Sequence, residues 1–231
     1  MDHRRVLGVD GCKQGWIGIA VAAGQFAHAY FATQIDELVR LAAMDGELEV
    51  VAVDMPIGLP DRGRRQADVL ARRAVGARWP SVFMTPTRAA LEADDYLTAA
   101  TINQELAGEG ISRQAFALKG KLLQVDRWVG QTSRRVVEVH PEVCFARLAG
   151  APLPNRKTTW AGAEHRRTLL EGAGLRLPHD LGTAGTMAGV DDVLDATVAA
   201  WTAHRVATGH AHSMPSPPQT FTDGIACAIW V

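Results

Sequence analysis

Five carboxylates stand where apolar runs stop or a helix begins. Asp10 follows Val6-Leu7-Gly8-Val9, Asp54 follows Val50-Val51-Ala52-Val53, and Glu138 follows Val136-Val137. Asp192 and Asp195 lie in Asp191-Asp192-Val193-Leu194-Asp195-Ala196. In an open α/β sheet, chemistry collects at the carboxyl ends of the strands. If the first and fourth strands are parallel neighbours, Asp10 and Asp54 emerge side by side. Asp192 and Asp195 are three apart and share one helix face. Carboxylates gathered in this way repel, and a divalent cation with hard oxygen preference removes that repulsion. Mg²⁺ or Mn²⁺ is therefore the expected cofactor. Two such ions about 4 Å apart would generate hydroxide and stabilise the leaving oxygen of a phosphodiester. The expected catalytic set is Asp10, Asp54, Glu138, Asp192 and Asp195. Asp10, Asp54, Asp192 and Asp195 are the metal ligands and Glu138 an auxiliary acid.

Each acid also has a plainer reading. Asp10 before Gly11 and Asp54 before Met55-Pro56 suit turns. Asp191 or Asp192 suits a helix N-cap, and Glu138 suits an ion pair with a neighbouring arginine. The metal reading rests on their conjunction across four elements.

Positioning these acids needs a sheet. Residues 5–10, 15–22 and 26–31 read as strands of an antiparallel meander. Thr33 is a candidate N-cap for a helix through about Met44, with Ile35, Leu38, Val39 and Ala42 at helical spacing. Residues 49–54 form a fourth strand, whose nearly continuous apolar run suits a parallel strand covered on both faces. Helical patterns follow near 63–75, 94–107 and 113–130, interrupted by the aperiodic loop WPSVFMTPTR at 79–88. Residues 134–139 are a fifth strand, and 141–149 and 162–172 short helices. GTAGTMAG (182–189) is a loop without the Gly-Lys-Ser/Thr ending of a phosphate-binding loop. Residues 190–207 form an amphipathic helix, SMPSPP (213–218) a turn or linker, and GIACAIWV (224–231) a terminal strand. That order implies an α/β ribonuclease H-like mixed sheet, with three antiparallel strands and then parallel strands. The expected organisation is one domain over 1–231, with a helical cap inserted at about 60–133.

Composition narrows the class. The 231 residues carry a net charge of −1, so a nucleic-acid partner needs a local basic patch rather than a global field. The three cysteines are far apart and form no Cys-x-x-Cys, which indicates neither a disulfide framework nor a zinc site. No secretory h-region opens the sequence and no apolar run approaches the ~20 residues of a membrane span. The expected location is the cytoplasm, with no membrane partner.

Arginines 62, 64, 65, 72, 73, 78 and 88 make 62–88 the most basic stretch. They suit phosphate contact, or a solvated helix face paired with Asp61 and Asp68. Candidate substrate-binding residues are Lys13, Arg88, His140, Lys157 and Arg166. His140 serves as an acid or base, or as a structural histidine at a strand end. Glu142 suits either a site acid or the first turn of a helix. Trp79 and Trp160 lie in loops and suit either base stacking or core packing.

GVDGCKQGW, VDMPIGLP, the R-x-x-D-x-x-A-R pattern of 65–72, SVFMTPTR, EVHPEVCF and DDVLDA together resemble the domain-of-unknown-function family four-two-nine, in order from residue 8 to 196. That resemblance implies a ribonuclease H-like nuclease. In the wider superfamily, RuvC-type junction resolvases carry an Asp on the first strand, an acid on the fourth and Asp-x-x-Asp-Ala on the last helix. Asp10, Asp54 and Asp192–Ala196 are similar, whereas Glu138 departs from that layout. The implied activity is metal-dependent phosphodiester cleavage of nucleic acid or a small phosphoester, with water as nucleophile. Two other readings stay open. One is a phosphotransferase or ATPase of the actin-like branch, with Gly8–Gly11 as its phosphate turn. The other is a non-catalytic protein that binds an anionic ligand. The terminal strand either pairs across a dimer or completes its own sheet.

Overall fold

Two tight turns start the fold. Lys13-Gln14 joins β1 (Arg5–Cys12) to β2 (Gly15–Ala22), and Ala23-Gly24 joins β2 to β3 (Gln25–Ala32). Ala23 and Gly24 both adopt positive φ, 52° and 75°, the pairing that matches a two-residue hairpin to strand twist. The computed structural model describes residues 4–231. After the meander come α1 (Ile35–Met44) and β4 (Val50–Val53). The chain then runs through α2 (Gln66–Ala74), a 3-10 turn (Gly76–Ser81), α3 (Arg88–Glu92), α4 (Tyr96–Ala107), α5 (Arg113–Ala117) and α6 (Lys119–Val129) before β5 (Val136–Glu138). There follow α7 (Pro141–Ala149), α8 (Trp160–Gly172), α9 (Thr183–Met187), α10 (Val190–Ala207), β6 (Ser213–Thr220) and β7 (Ala226–Trp230).

The described strands form one seven-stranded sheet in the order β3-β2-β1-β4-β5-β7-β6. The first three are antiparallel; β1, β4, β5 and β7 are mutually parallel. This is the mixed α/β architecture expected from the sequence, consistent with a ribonuclease H-like fold. One face packs Val6, Ile17, Ile19 and Val50 against α10, α7 and α8. The other packs Leu7, Val9, Val51 and Val53 with Leu38 of α1 and Leu122 of α6. Covering both faces accounts for the continuous apolar runs of β1 and β4.

Four local expectations are corrected. Gln34, not Thr33, is the N-cap of α1, and its side chain makes no capping bond. The loop 182–189 contains the short helix α9. SMPSPP is not a linker but most of β6, at the sheet edge, where prolines lacking N–H donors are tolerated. Its ladder to β7 lapses between Met214 and Gln219. The terminal strand β7 completes its own sheet between β5 and β6, so both of its edges are already occupied. It does not offer the dimer edge that the sequence allowed.

Gly8 fixes how closely α10 approaches β1. A Cβ there would lie 2.0 Å from the Ala200 amide nitrogen and 2.2 Å from the Ala196 carbonyl oxygen. Gly8→Ala should push α10 off the sheet and lower stability by about 1–3 kcal/mol in urea unfolding. Because α10 carries Asp195, the same variant should lose activity even under conditions where it stays folded.

Candidate functional site

Strand register sets the first two acids side by side. β1 and β4 pair Val6 with Val50 through Val9 with Val53, and the Asp54 amide donates to the Val9 carbonyl at 2.8 Å. Asp10 and Asp54 are the next residues along each strand, and their side chains emerge on the Gly8 face, under α10. Asp195, in the second turn of α10, completes the group. Asp10, Asp54 and Asp195 each offer an oxygen, and these atoms lie within 4.8 Å of one another. One oxygen of Asp10 accepts the Gly11 amide at 2.7 Å, which orients the carboxylate. Asp195 is 2% exposed, and its Oδ1 is buried without a partner among the described residues. A buried carboxylate oxygen left unpaired is costly, and three hard oxygen donors around it fit a divalent cation.

Electrostatics reflect the crowding. Burial, then Asp54 and Asp195, push Asp10 well above the ordinary carboxylate range. Burial, then Asp195, push Asp54 up to about 8. Burial raises Asp195 to about 6, against the opposing pull of Lys157. Lys157 Nζ donates to Asp195 Oδ2 at 2.5 Å and lies 3.7 Å from Asp191 Oδ2. Burial disfavours its charge, yet Asp195, Asp10 and Asp54 together hold its pKa above the ordinary lysine value.

The acids floor a cavity of about 540 Å³. One wall is the 3-10 turn with Val82 and Phe83, and another is Arg156, Lys157 and Thr158. Arg78 ties these walls together by donating to the carbonyls of Leu153, at 3.2 Å, and Pro154. The R-x-x-D-x-x-A-R pattern holds the first wall from behind. Arg65 is fully buried and donates to Cys227 Sγ and Thr85 Oγ1, each at 3.0 Å, and to Glu138 Oε2. Asp68 Oδ2 accepts the Thr85 amide at 2.8 Å, and Arg72 Nε donates to the Val82 carbonyl at 2.8 Å. These residues are neither phosphate contacts nor a solvated face; they anchor the 82–85 segment to the sheet.

The other expected site residues fall in different places. Glu138 pairs in register with Val53 rather than Asp54, so the pleat turns it to the opposite face from Asp10 and Asp54. There it accepts from Arg65 and from the Ile57 amide at 2.8 Å, bordering the cavity with its charge already matched. Asp192 lines the cavity, but its Oδ2 accepts the Gly189 amide at 3.0 Å and closes the N-terminus of α10. It stands outside the three-oxygen cluster. His140 lines the cavity, with Nδ1 unpartnered among the described residues, and burial depresses its pKa. Arg88 is not in the cavity lining. It bridges Asp126, at 2.5 and 2.9 Å, and Asp223, at 2.9 Å, which joins α3 to α6 and to the approach of β7. Arg166 is also outside the lining: it is 1% exposed and pairs with Glu142 at 2.7 Å. Lys13 is exposed in the β1–β2 turn and does not line the cavity. That turn is only two residues long.

Lys121 was missed. It donates to the Gly15 carbonyl, packs 4.4 Å from the Trp16 ring centroid, and faces Asp10 and Asp192 electrostatically. Nothing local in Lys119-Gly120-Lys121 distinguishes it, because its partners are distant in sequence. Arg65 carried a faint signal: Arg65 and Asp68 are three apart and interleave with Ala67 and Ala71, a small-residue stripe that packs inward.

The sequence model of the family described as Protein of unknown function (DUF429) matches residues 8–220. The chain belongs to that family. No curated protein and no solved structure matches it. Among the described residues, no helix is long and apolar enough to cross a membrane.

Proposed function

We propose that this DUF429 member is a cytoplasmic, divalent-metal-dependent phosphodiester hydrolase acting on nucleic acid, with Mg²⁺ or Mn²⁺ held by Asp10, Asp54 and Asp195. The observation that carries this reading is the convergence of three carboxylate oxygens within 4.8 Å, beside a buried and unpartnered Asp195 Oδ1. A cation bound there supplies a hydroxide nucleophile at neutral pH and offsets charge on the phosphoryl oxygens. Asp10, oriented by the Gly11 amide, and Asp54, fixed by the β1–β4 register, hold their oxygens without rearrangement. Arg156 and Lys157 on the wall place positive charge where a phosphate enters. His140, held neutral by burial and lining the cavity, is a candidate to accept or return a proton.

Nucleic acid is favoured over a small phosphoester by two indoles that the core does not absorb. Trp79 is 54% and Trp160 is 82% exposed. Each is within two residues of a residue that lines the cavity: Arg78 and Pro80 flank Trp79, and Thr158 precedes Trp160. Exposed aromatic rings beside a basic rim are how unpaired bases are gripped. Trp160→Ala should weaken binding of a single-stranded oligonucleotide about tenfold, the loss of roughly one stacked base, with thermal stability unchanged. Fluorescence titration in chelator reads this without turnover.

The function itself is tested with labelled single-stranded, duplex, hybrid and branched nucleic acids, alongside a small phosphodiester, in Mg²⁺, Mn²⁺ or chelator. The expected result is cleavage of at least one polymer that stops in chelator. Hydrolysis of the small ester alone would move the substrate class, and no hydrolysis under any condition would reject the hydrolase.

A further inference from the structure

We propose that the centre takes a single divalent cation, and that the Lys157 ammonium occupies the place a second cation holds in a two-ion site. The inference rests on the metal-dependent reading above and changes its stoichiometry. Lys157 engages one oxygen of Asp195, Oδ2, at 2.5 Å. The other, Oδ1, is buried without a partner among the described residues, and Asp195 contributes one of the three oxygens that cluster with Asp10 and Asp54. Asp195 is therefore divided between an ammonium on one side and a cation position on the other.

The ammonium is placed there by a built support. Arg166, itself buried, donates to the Asn155 carbonyl at 3.2 Å and the Gly162 carbonyl at 3.1 Å, and pairs with Glu142. Its guanidinium lies 5.2 Å from the Phe145 ring centroid. Arg78 holds the carbonyls of Leu153 and Pro154 from the opposite wall. Thr159 Oγ1 donates to the Arg156 carbonyl at 2.8 Å. That carbonyl is packed so tightly on Gly162 that a Cβ there would lie 1.9 Å from it. Two arginines, a hydroxyl and a glycine thus fix the stretch 153–159 that delivers Lys157. An incidental surface lysine needs no such frame.

Charge balance points the same way. The Asp10, Asp54 and Asp195 carboxylates are neutralised by one divalent cation and one ammonium. Of the further acids at the start of α10, Asp192 already accepts the Gly189 amide and faces Lys121, and Asp191 lies 3.7 Å from Lys157 itself. A second divalent cation would have to displace Lys157 and leave its charge unmatched against the same wall. An ammonium has three N–H donors, so after serving Asp195 it has donors left for a phosphate oxygen in the cavity it lines.

The test is a calorimetric titration of the full chain with Mn²⁺, read in parallel by electron paramagnetic resonance. Neighbouring Mn²⁺ ions couple magnetically, whereas an isolated ion keeps its own hyperfine pattern. The wild type should bind one Mn²⁺ per chain with the isolated pattern. Lys157→Met should bind two with the coupled pattern, and Lys157→Arg should stay at one. Lys157→Gln repeats the test if the methionine variant does not fold. Two coupled ions in the wild type, or one ion in both Lys157→Met and Lys157→Gln, would overturn this inference and leave metal dependence standing. A folded wild type that takes up no Mn²⁺ would remove the metal-dependent reading along with it.

Discussion

Asp10→Asn should abolish turnover and at the same time stabilise the metal-free protein. Hydrolysis should fall about a thousand-fold or more, because one of three converging ligands is replaced by a neutral amide and groups acting as a unit fail together. Stability should move the other way. Asp10 is held well above the ordinary carboxylate range by burial and by Asp54 and Asp195. In the folded chain its proton is kept to a pH at which the unfolded chain has already lost it. The sign is clearest for Asp54, whose pKa rises from 3.8 to about 8. Between those values the folded state binds more protons than the unfolded state, so metal-free stability declines as pH rises through that window. Removing one member of the cluster relieves the repulsion and should add about 1–3 kcal/mol at neutral pH, allowing for sharing of the strain among coupled acids. For a chain of this size, each kcal/mol raises the melting temperature by roughly 2–4 °C. Added Mn²⁺ should stabilise the wild type more at higher pH, since it binds the deprotonated carboxylates. An Asp10→Asn variant that melts lower in chelator would contradict the electrostatic account.

Arg65→Ala should be the most destabilising single change outside the carboxylate cluster. Its guanidinium is fully buried and serves Glu138, Thr85 and Cys227, with Asp68 3.8 Å away. Truncation leaves the Glu138 carboxylate buried without its cation, a change of about 3–5 kcal/mol. Arg65→Lys should not restore stability, because a point ammonium cannot reach three acceptors in the plane of a fork. Arg65→Ala combined with Glu138→Gln should lose less than the two single changes added together. Urea unfolding of the four proteins measures that coupling. Activity should fall as well, since Thr85 and Val82 tie the 82–85 segment, and with it Phe83 at the cavity wall, to this network.

The sequence was legible where one local pattern fixed one structural outcome. Continuous apolar runs ended by Asp10 and Asp54 suited strands covered on both faces, and the parallel β1–β4 pairing then brings their acids out at the same sheet end. Helical spacing in α10 paired Asp195 with Asp192, and only Asp195 joins the three-oxygen cluster. Glu138 was read as a site acid because it also ends a strand. Its face depends on pairing with Val53, and a shift of one residue reverses every side chain. Nothing in β5 itself encodes that register. Arg88 and Arg166 were grouped as anion binders by type alone, whereas Asp126, Asp223 and Glu142, distant in sequence, claim them. Lys157 was grouped with them as an anion binder; unlike them it lines the cavity, where it donates to Asp195. The prolines of β6 suggested a linker because an edge position, which tolerates them, is a property of the whole sheet.

The most direct measurement of the central claim is cleavage of a labelled single-stranded oligonucleotide by wild type, Asp10→Asn and Asp195→Asn side by side, in Mn²⁺ and in chelator. Circular dichroism confirms folding of all three. The account predicts Mn²⁺-dependent cleavage by the wild type alone, silenced by chelator and absent from both folded variants. Cleavage that survives in either folded variant at the wild-type rate would place the chemistry away from this carboxylate centre and contradict the account.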